Sequence, residues 1–449
     1  MELSALKNAL FERGAAVGFT DMELYYQSSE KFSANVFKGD LDKFTQAVDG
    51  GISFRGRLNG KMGYAYTEKI DESAIDLLLN AAQNSAGVID SEEVEPLYAG
   101  PFDYQPLELF AADFARVTPA EKIAFLKELD AECYRLDSRI SLVNHCSCST
   151  EISTRYIANT KGLEVSERSN IGFAVVGVVA RKDNDTKTAY EFTIGKEFKA
   201  FNAKALAAKV VAEAVSYLGA EPVESRTYPV LLRKDAASDL LSTYVGVFFA
   251  ENAQKGKSRL KGKVGQAIAG ANITLVDDPL RADGAASRSF DSEGTPTRKL
   301  SVVEKGVLKS LLYNQKTGGI DGVPSTGHGT KQSYKSAVVT APSNFYLEPG
   351  TRSFDELVKS MAEGVIITSL QGLHSGANPI SGDFSLLAGG YYVKNGEIAH
   401  PVNQITVAGN FYDVMNSVAE LGSDLEFYPG HGNIGTPSLL IKGLAITGK

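Results

Sequence analysis

The run SGANPISGDFSLLAGGYYVKNGEIAHPVNQITVAGN, Ser375 to Asn410, decides the fold of the C-terminal half. YYVKNGEIAHPV predicts a hairpin with Asn395-Gly396 at its two-residue turn. Gly376, Gly382, Gly389 and Gly390 mark a backbone that needs positive φ or strands too close for a side chain. Beyond Tyr228 the texture is strands and long glycine-punctuated loops, which predicts a β-rich domain with few helices.

Just upstream, LHSGANPISGDFS (Leu373 to Ser385) places a histidine, a serine and an aspartate within eleven positions. The spacing argues against a triad. The centre of Gly372-Leu373-His374-Ser375-Gly376 is histidine, so this is no GxSxG elbow, and the adjacent side chains of His374 and Ser375 diverge. The stretch reads as an architectural loop.

The N-terminal half alternates helices and strands. MELSALKNALFERG places Leu3, Leu6 and Leu10 on one helical face, without the basic start and unbroken apolar core of a signal peptide. MELYYQSS and KFSANVFKG read as two strands. GISFRGRLNGKMGYAYTE is a hairpin turning at Asn59-Gly60, and DESAIDLLLNAAQNSAG is a helix. Thr118-Pro119-Ala120-Glu121 is a capping box that opens a helix containing Cys133. Strands follow from Ser141 to about Phe198, then the helix AKALAAKVVAEAVSYLGA. The whole is α+β with two expected domains. Residues 1–220 form an N-terminal α+β domain with a linker-like segment at 88–110, and 225–449 form a C-terminal β-rich domain.

Composition narrows the function classes. The 449 residues are 43% hydrophobic and 22% charged, as in a globular protein, and the net charge of -8 disfavours a nucleic-acid partner. No apolar stretch approaches the roughly 20 residues that span a bilayer, so no membrane segment is expected. Three cysteines are too few for a disulfide framework and point to the reducing cytoplasm. In NHCSCS, strand geometry puts Cys146 and Cys148 on one face and His145 on the other, so the cysteines read as buried and structural rather than zinc-binding. In KGKSRLKGK, Lys255, Lys257, Arg259, Lys261 and Lys263 occupy every second position, as in an edge strand guarded by lysines. Asp291 and Glu293, beside Gly294, read as turn chemistry rather than a metal site.

The run from Ser375 to Phe427, with GKSRLKGKVGQAIAGANITLVDDP, FDSEGTPTRKLSVVEKGVLKSLLYN and FYLEPGTRSFDEL, resembles the C-terminal domain of the TldD/PmbA family. That family is also called TldD/TldE, or modulator of DNA gyrase. The resemblance covers the whole chain, and in the N-terminal half GISFRGRLNGKMGYAYT mainly carries it. It implies two kinds of member that assemble to cleave unfolded peptides. The TldD kind holds a metal with HExxxH on a helix and a distant cysteine; the PmbA/TldE kind lacks those ligands. Aligning on GKSRLKGKVG puts Leu241, Ser242 and Gly246 at the three motif positions, and none is a zinc ligand or a carboxylate base. The terminal cysteine region corresponds to GHGNIGTPSLLIKGLAITG, with His431 and no cysteine. From Asp235 as the N-cap, Leu240, Tyr244 and Phe248, and likewise Leu241, Val245 and Phe249, make a broad apolar stripe, so the helix packs.

The implied protein is a PmbA/TldE-type subunit without a cofactor, forming a homodimer when alone. A TldD-type partner supplies zinc, and an extended peptide adds as a strand. No catalytic residue is assigned; His374, Asp383, Asp291 and Glu293 are the candidate substrate contacts. One alternative is a self-sufficient metallopeptidase, but His145, His328, His374, His400 and His431 include no pair at helical ligand spacing. The other is a gyrase- or nucleic-acid-binding protein, supported only by the basic run from Lys255 to Lys263.

Overall fold

The structure, a computed structural model, describes residues 2–88, 95–430 and 432–449. His431 and residues 89–94 of the linker-like segment lie outside the described residues.

Helix α1 (Leu3–Ala16) leads into β1 (Thr20–Phe37), β2 (Asp40–Leu58), β3 (Lys61–Thr67) and α2 (Ser73–Val88). Then come α3 (Ala112–Arg116), α4 (Pro119–Leu136), β4 (Ile140–Asn159), β5 (Glu164–Lys182), β6 (Asp185–Gly195) and α5 (Ala203–Ser216). The strands form one antiparallel sheet in the order β3-β2-β1-β4-β5-β6. Helices α1 and α2 bury Leu6, Leu10, Ile75 and Leu78 against its β1–β3 end. Helices α4 and α5 cover the other end with Leu126, Leu129, Val210 and Val211. The capping box forms as expected: Thr118 Oγ1 accepts from the Glu121 N–H at 3.3 Å, and Glu121 accepts from the Thr118 N–H at 2.7 Å.

The two strands expected from MELYYQSS and KFSANVFKG are one, β1, 18 residues long. Its polar middle does not end it, because β2 and β4 hydrogen-bond it from both sides through Ser28 and Ser29. The chain reverses at Lys38-Gly39 and Asn59-Gly60, with φ of 53° and 81°, and 51° and 82°. On β4, Cys146 and Cys148 are buried and His145 is exposed, as strand alternation predicts. In the part of the linker-like segment that is described, Leu97, Tyr98 and Leu109 are buried.

The C-terminal half opens with β7 (Arg226–Leu232), α6 (Lys234–Tyr244), α7 (Ala250–Gln254), β8 (Leu275–Asp277), β9 (Leu300–Glu304), β10 (Val307–Leu308) and α8 (Gln315–Asp321). It continues with β11 (Gly329–Thr330), β12 (Val339–Thr340), β13 (Asn344–Leu347), α9 (Phe354–Lys359), β14 (Glu363–Gln371) and α10 (Leu373–Gly376). It ends with β15 (Asp383–Lys394), β16 (Glu397–Asn410), α11 (Phe411–Ser417), β17 (Val418–Leu421), β18 (Glu426–Gly430), β19 (Gly432–Thr436) and β20 (Leu439–Thr447). Two mixed sheets result, β16-β15-β14-β7-β20-β17 and β10-β9-β8-β13-β19-β18. Helix α6 shares one core with both, where Leu240 and Tyr244 join Val230, Val365 and Leu386 of the first sheet and Leu275, Phe345 and Ile434 of the second.

Three local expectations change. Arg233, not Asp235, is the N-cap of α6, and its side chain cannot accept from the helix; Asp235 sits in the first turn and pairs with Arg233 instead. Lys255 to Lys263 is a series of turns and not a strand, with Ser258 and Leu260 buried between exposed basic residues. Its exposure does alternate, but Ser258 Oγ donates to the Val247 carbonyl at 2.6 Å, which holds the run as a loop over the core. His374 and Ser375 stand in the single helical turn α10, not in a loop.

The hairpin at Asn395-Gly396 forms, with φ of 54° and 77°. Of the four glycines upstream of it, Gly382 alone has positive φ, 83°. Gly390 instead meets close approach: a Cβ there would lie 1.8 Å from the Ile366 carbonyl oxygen. At Gly382 a Cβ would also lie 2.7 Å from the Tyr412 ring. Gly382→Val is therefore expected to destabilise the chain far more than His374→Ala, by on the order of 1–3 kcal/mol of backbone strain plus the clash, and so to melt at the lower temperature. Thermal melts of both variants check this, and equal losses would contradict it.

Candidate functional site

The two halves meet around a turn. Phe290 packs with Tyr25, Ile157, Leu163 and Tyr334. Asp291, fully buried, accepts from the backbone N–H groups of Glu293 and Thr295 (both 2.9 Å) and Gly329 (2.8 Å). Glu293, 2% exposed, accepts one, from Gln315 N at 2.8 Å. The N-terminal half grips the turn in return: Tyr104 donates to the Gly294 carbonyl at 2.8 Å, and Glu167 accepts from Ser289 N at 3.2 Å.

Burial pushes both carboxyls of the turn upward, and the neighbouring charge of Asp291 raises Glu293 further. Three backbone donors favour the charged form at Asp291, so the proton of the pair resides on Glu293. The sequence reading of turn chemistry describes Asp291 well. It misses that Glu293 faces a cavity.

That cavity, about 690 Å³, lies between β1–β3 and the segment 331–339. On its wall Arg55 pairs bidentately with Glu23, Nε to Oε1 at 2.8 Å and Nη2 to Oε2 at 3.0 Å, with both residues at most 5% exposed. Burial would lower the guanidinium pKa, but Glu23 outweighs it and holds the charge. Glu95 accepts from Tyr64 and lies 3.8 Å from Arg55 and from Lys316. Lys331 projects into the same space. Its Nζ donates to Ser53 Oγ at 3.1 Å and sits 4.6 Å from the centre of the Tyr25 ring. Burial brings its amine down to about 8, against the pull of Glu23. These groups escaped sequence reading, although Glu23 and Arg55 carry a signal: opposite charges in otherwise apolar strand segments that the hairpin can pair. The structure does set them opposite each other across β1 and β2.

The other sequence candidates lie elsewhere. His374 is exposed on α10 and makes no side-chain hydrogen bond among the described residues. Asp383, at the start of β15, is exposed and accepts from Asn410 at 2.8 Å; Asn410 first, then Ser381, holds its carboxyl below the usual range. Neither lines the cavity at the seam. Leu241 is buried in the core, Ser242 is half-buried, and Gly246 falls in the 3-10 turn Val245–Phe248 after α6 has ended. This donor set does not fit a metal, and among the described residues no group of three His, Cys, Asp or Glu could hold one. His431 lies outside those residues.

One constellation does look catalytic. His328 Nδ1 is 2.8 Å from Thr326 Oγ1, and its Nε2 is 3.2 Å from Asp277 Oδ1. It is sealed: His328 and Asp277 are at most 1% exposed, and Thr326 Oγ1 accepts from Tyr313 N at 2.7 Å. Asp277 in turn accepts from Ser343 N at 2.8 Å, so the group fastens β8 to the chain entering β13.

Fold and site thus define an α+β protein of two sheet-built halves, with a charged cavity at the seam and an apolar helix in the C-terminal core. The chain belongs to the TldD/PmbA family: the PmbA/TldA metallopeptidase domain 1, central domain and C-terminal domain match residues 22–86, 112–218 and 225–448. It is 30% identical over 444 residues to an uncharacterized protein of Methanocaldococcus jannaschii, covering 97% of this chain and 98% of that one. It is 27% identical over 408 residues to the metalloprotease PmbA homolog of Haemophilus influenzae, covering 89% and 86%. A crystal structure from Thermotoga maritima, named a modulator of a DNA gyrase, superposes with a TM-score of 0.91 at 31% identity, covering 99% of this chain and all of that one. TldE from Thermococcus kodakarensis has the same fold, with a TM-score of 0.92 at 21% identity over 99% of this chain and 100% of that one.

Glu293 supplies a prediction. Its folded pKa lies above its unfolded one, so the folded state keeps a proton that the unfolded chain releases, and stability falls as pH rises through that window. Glu293→Gln retains the acceptor for Gln315 N and removes the titration. The variant is expected to exceed the native chain in stability by a margin that grows from pH 5 to pH 8, reaching ~2 kcal/mol. Thermal melts across that range measure it, and a variant less stable at pH 8 would mean that Glu293 is ionised and paired.

Proposed function

We propose that this chain is the PmbA/TldE-type subunit of a TldD/TldE-like metallopeptidase complex, one that binds no metal and helps to bind and process unfolded peptides. The observation that carries the reading is the occupancy of the motif positions by Leu241, Ser242 and Gly246, a buried apolar side chain, a hydroxyl and a glycine beyond the helix end. The names of its relatives, among them the metalloproteases PmbA of Escherichia coli and Haemophilus influenzae, support a peptidase-related role. In this reading a TldD-type partner supplies the zinc and the hydrolysis, the lone chain is a homodimer, and an extended peptide is held by main-chain hydrogen bonds as an added strand. His374 and Asp383, both exposed, are proposed to contact it. Three buried, unpaired cysteines suit a cytoplasmic location.

Two measurements test the role. Elemental analysis of the dialysed chain is expected to find no stoichiometric zinc, and one tightly held metal per chain would overturn the reading. Peptide hydrolysis is then compared for the chain alone, a TldD-type protein alone and the two mixed, each with and without chelator. The mixture should gain chelator-sensitive activity and co-purify. Chelator-sensitive cleavage by the lone chain would defeat the assignment.

A further inference from the structure

Among the described residues, the cavity at the seam holds one cation without an anion within ion-pair distance. Lys331 Nζ has a hydroxyl, Ser53 Oγ, and the face of Tyr25 as its neighbours, and among the described residues no carboxylate lies within ion-pair distance of it. The surrounding charges are already matched: Glu23 to Arg55, Glu95 to Lys316, Glu251 to Lys255, and Lys335 to Glu68. Glu293, buried and short of donors, carries a proton and so presents no competing negative charge. Towards the mouth the wall is apolar and aromatic, with Tyr66 and Val339 both exposed.

We propose that this cavity is a carboxylate-binding site that takes the C-terminal end of a short peptide, with the carboxylate on Lys331 Nζ and the last side chain against Tyr66 and Val339. An ammonium with free N–H groups, set behind an aromatic and apolar mouth in a cavity whose other charges are paired, is an arrangement that recognises such a terminus, because a charge-assisted bond made away from bulk water fixes the ligand while the mouth accepts its last side chain. Lys331 is placed for this by the buried turn itself: its N–H donates to Ser292 Oγ at 3.0 Å, and the neighbouring Gly329 N–H donates to Asp291. That the ligand is a peptide rests on the proposed subunit role; that it carries a carboxylate does not.

The test is titration calorimetry on the full chain at pH 6.5, where the amine is charged, with Gly-Ala-Gly-Phe as free acid, the same peptide as C-terminal amide, and N-acetyl-phenylalanine. The free acid is expected to bind about tenfold more tightly than the amide, with the preference lost in Lys331→Met and kept in Lys331→Arg. Tight binding of N-acetyl-phenylalanine with weak binding of the tetrapeptide acid would leave the carboxylate site standing and overturn the peptide as its source. Equal affinity for acid and amide, no binding of either at millimolar concentration, or an unchanged preference in a folded Lys331→Met would overturn the site. The lone chain is used throughout, so failure of the subunit role, read from hydrolysis in the mixture, is separable from failure of this site.

Discussion

The buried carboxylate of Asp291 is the constraint around which the seam is built. An isolated charge at that depth is strongly unfavourable, and it is tolerated because three backbone N–H groups converge on it, two from its own turn and one from Gly329. Satisfying them fixes the turn, and the turn fixes the chain after β11. The aromatic ring of Phe290 then locks into Tyr25, Ile157 and Leu163, so the same few residues hold the halves together. Arg155 reinforces the contact, paired with Glu167 at 2.6 Å and lying 5.4 Å from the centre of the Phe290 ring.

A second consequence is the electrostatic character of the cavity. With Asp291 holding the negative charge, Glu293 is left with the proton, and the Glu23–Arg55 pair is self-contained across two strands. The wall is therefore rich in ionisable groups yet nearly balanced, except at Lys331. A group of this kind costs stability where it stands, and such groups gather where a ligand or partner is received. The sealed Thr326–His328–Asp277 group is the contrast: similar chemistry, no access, and a purely structural task.

The C-terminal core explains why α6 tolerates residues without metal-binding groups. Packed between two sheets, it needs apolar volume, and Leu241 and Tyr244 fill it, with Tyr244 stacked 4.7 Å from Phe411. The helix stops at Tyr244, and a 3-10 turn carries the chain past Gly246 into α7, so the motif positions do not lie on one continuous α-helix.

Much of the fold was legible from local signals, because those signals act over a few residues. Asn59-Gly60 and Asn395-Gly396 specify their turns by tolerating positive φ, Thr118 and Glu121 cap their helix reciprocally, and alternation on β4 separates Cys146 and Cys148 from His145. The alternating charges of Lys255 to Lys263 misled, since a loop anchored by Ser258 produces the same exposure pattern as a strand. Asp291 and Glu293 were visible as a turn, but nothing nearby in the chain announced that one would keep a charge and the other a proton. That depends on Gly329, Gln315 and Arg55, residues brought together from 22 to more than 200 positions away. Sequence alone determined the hairpin turns, the capped helix and the alternation on β4, through short-range sterics and periodicity, and its motifs carried the family resemblance. Only the tertiary structure decided the site, because burial and the convergence of distant donors, not residue identity, set which groups are charged and which are free to bind.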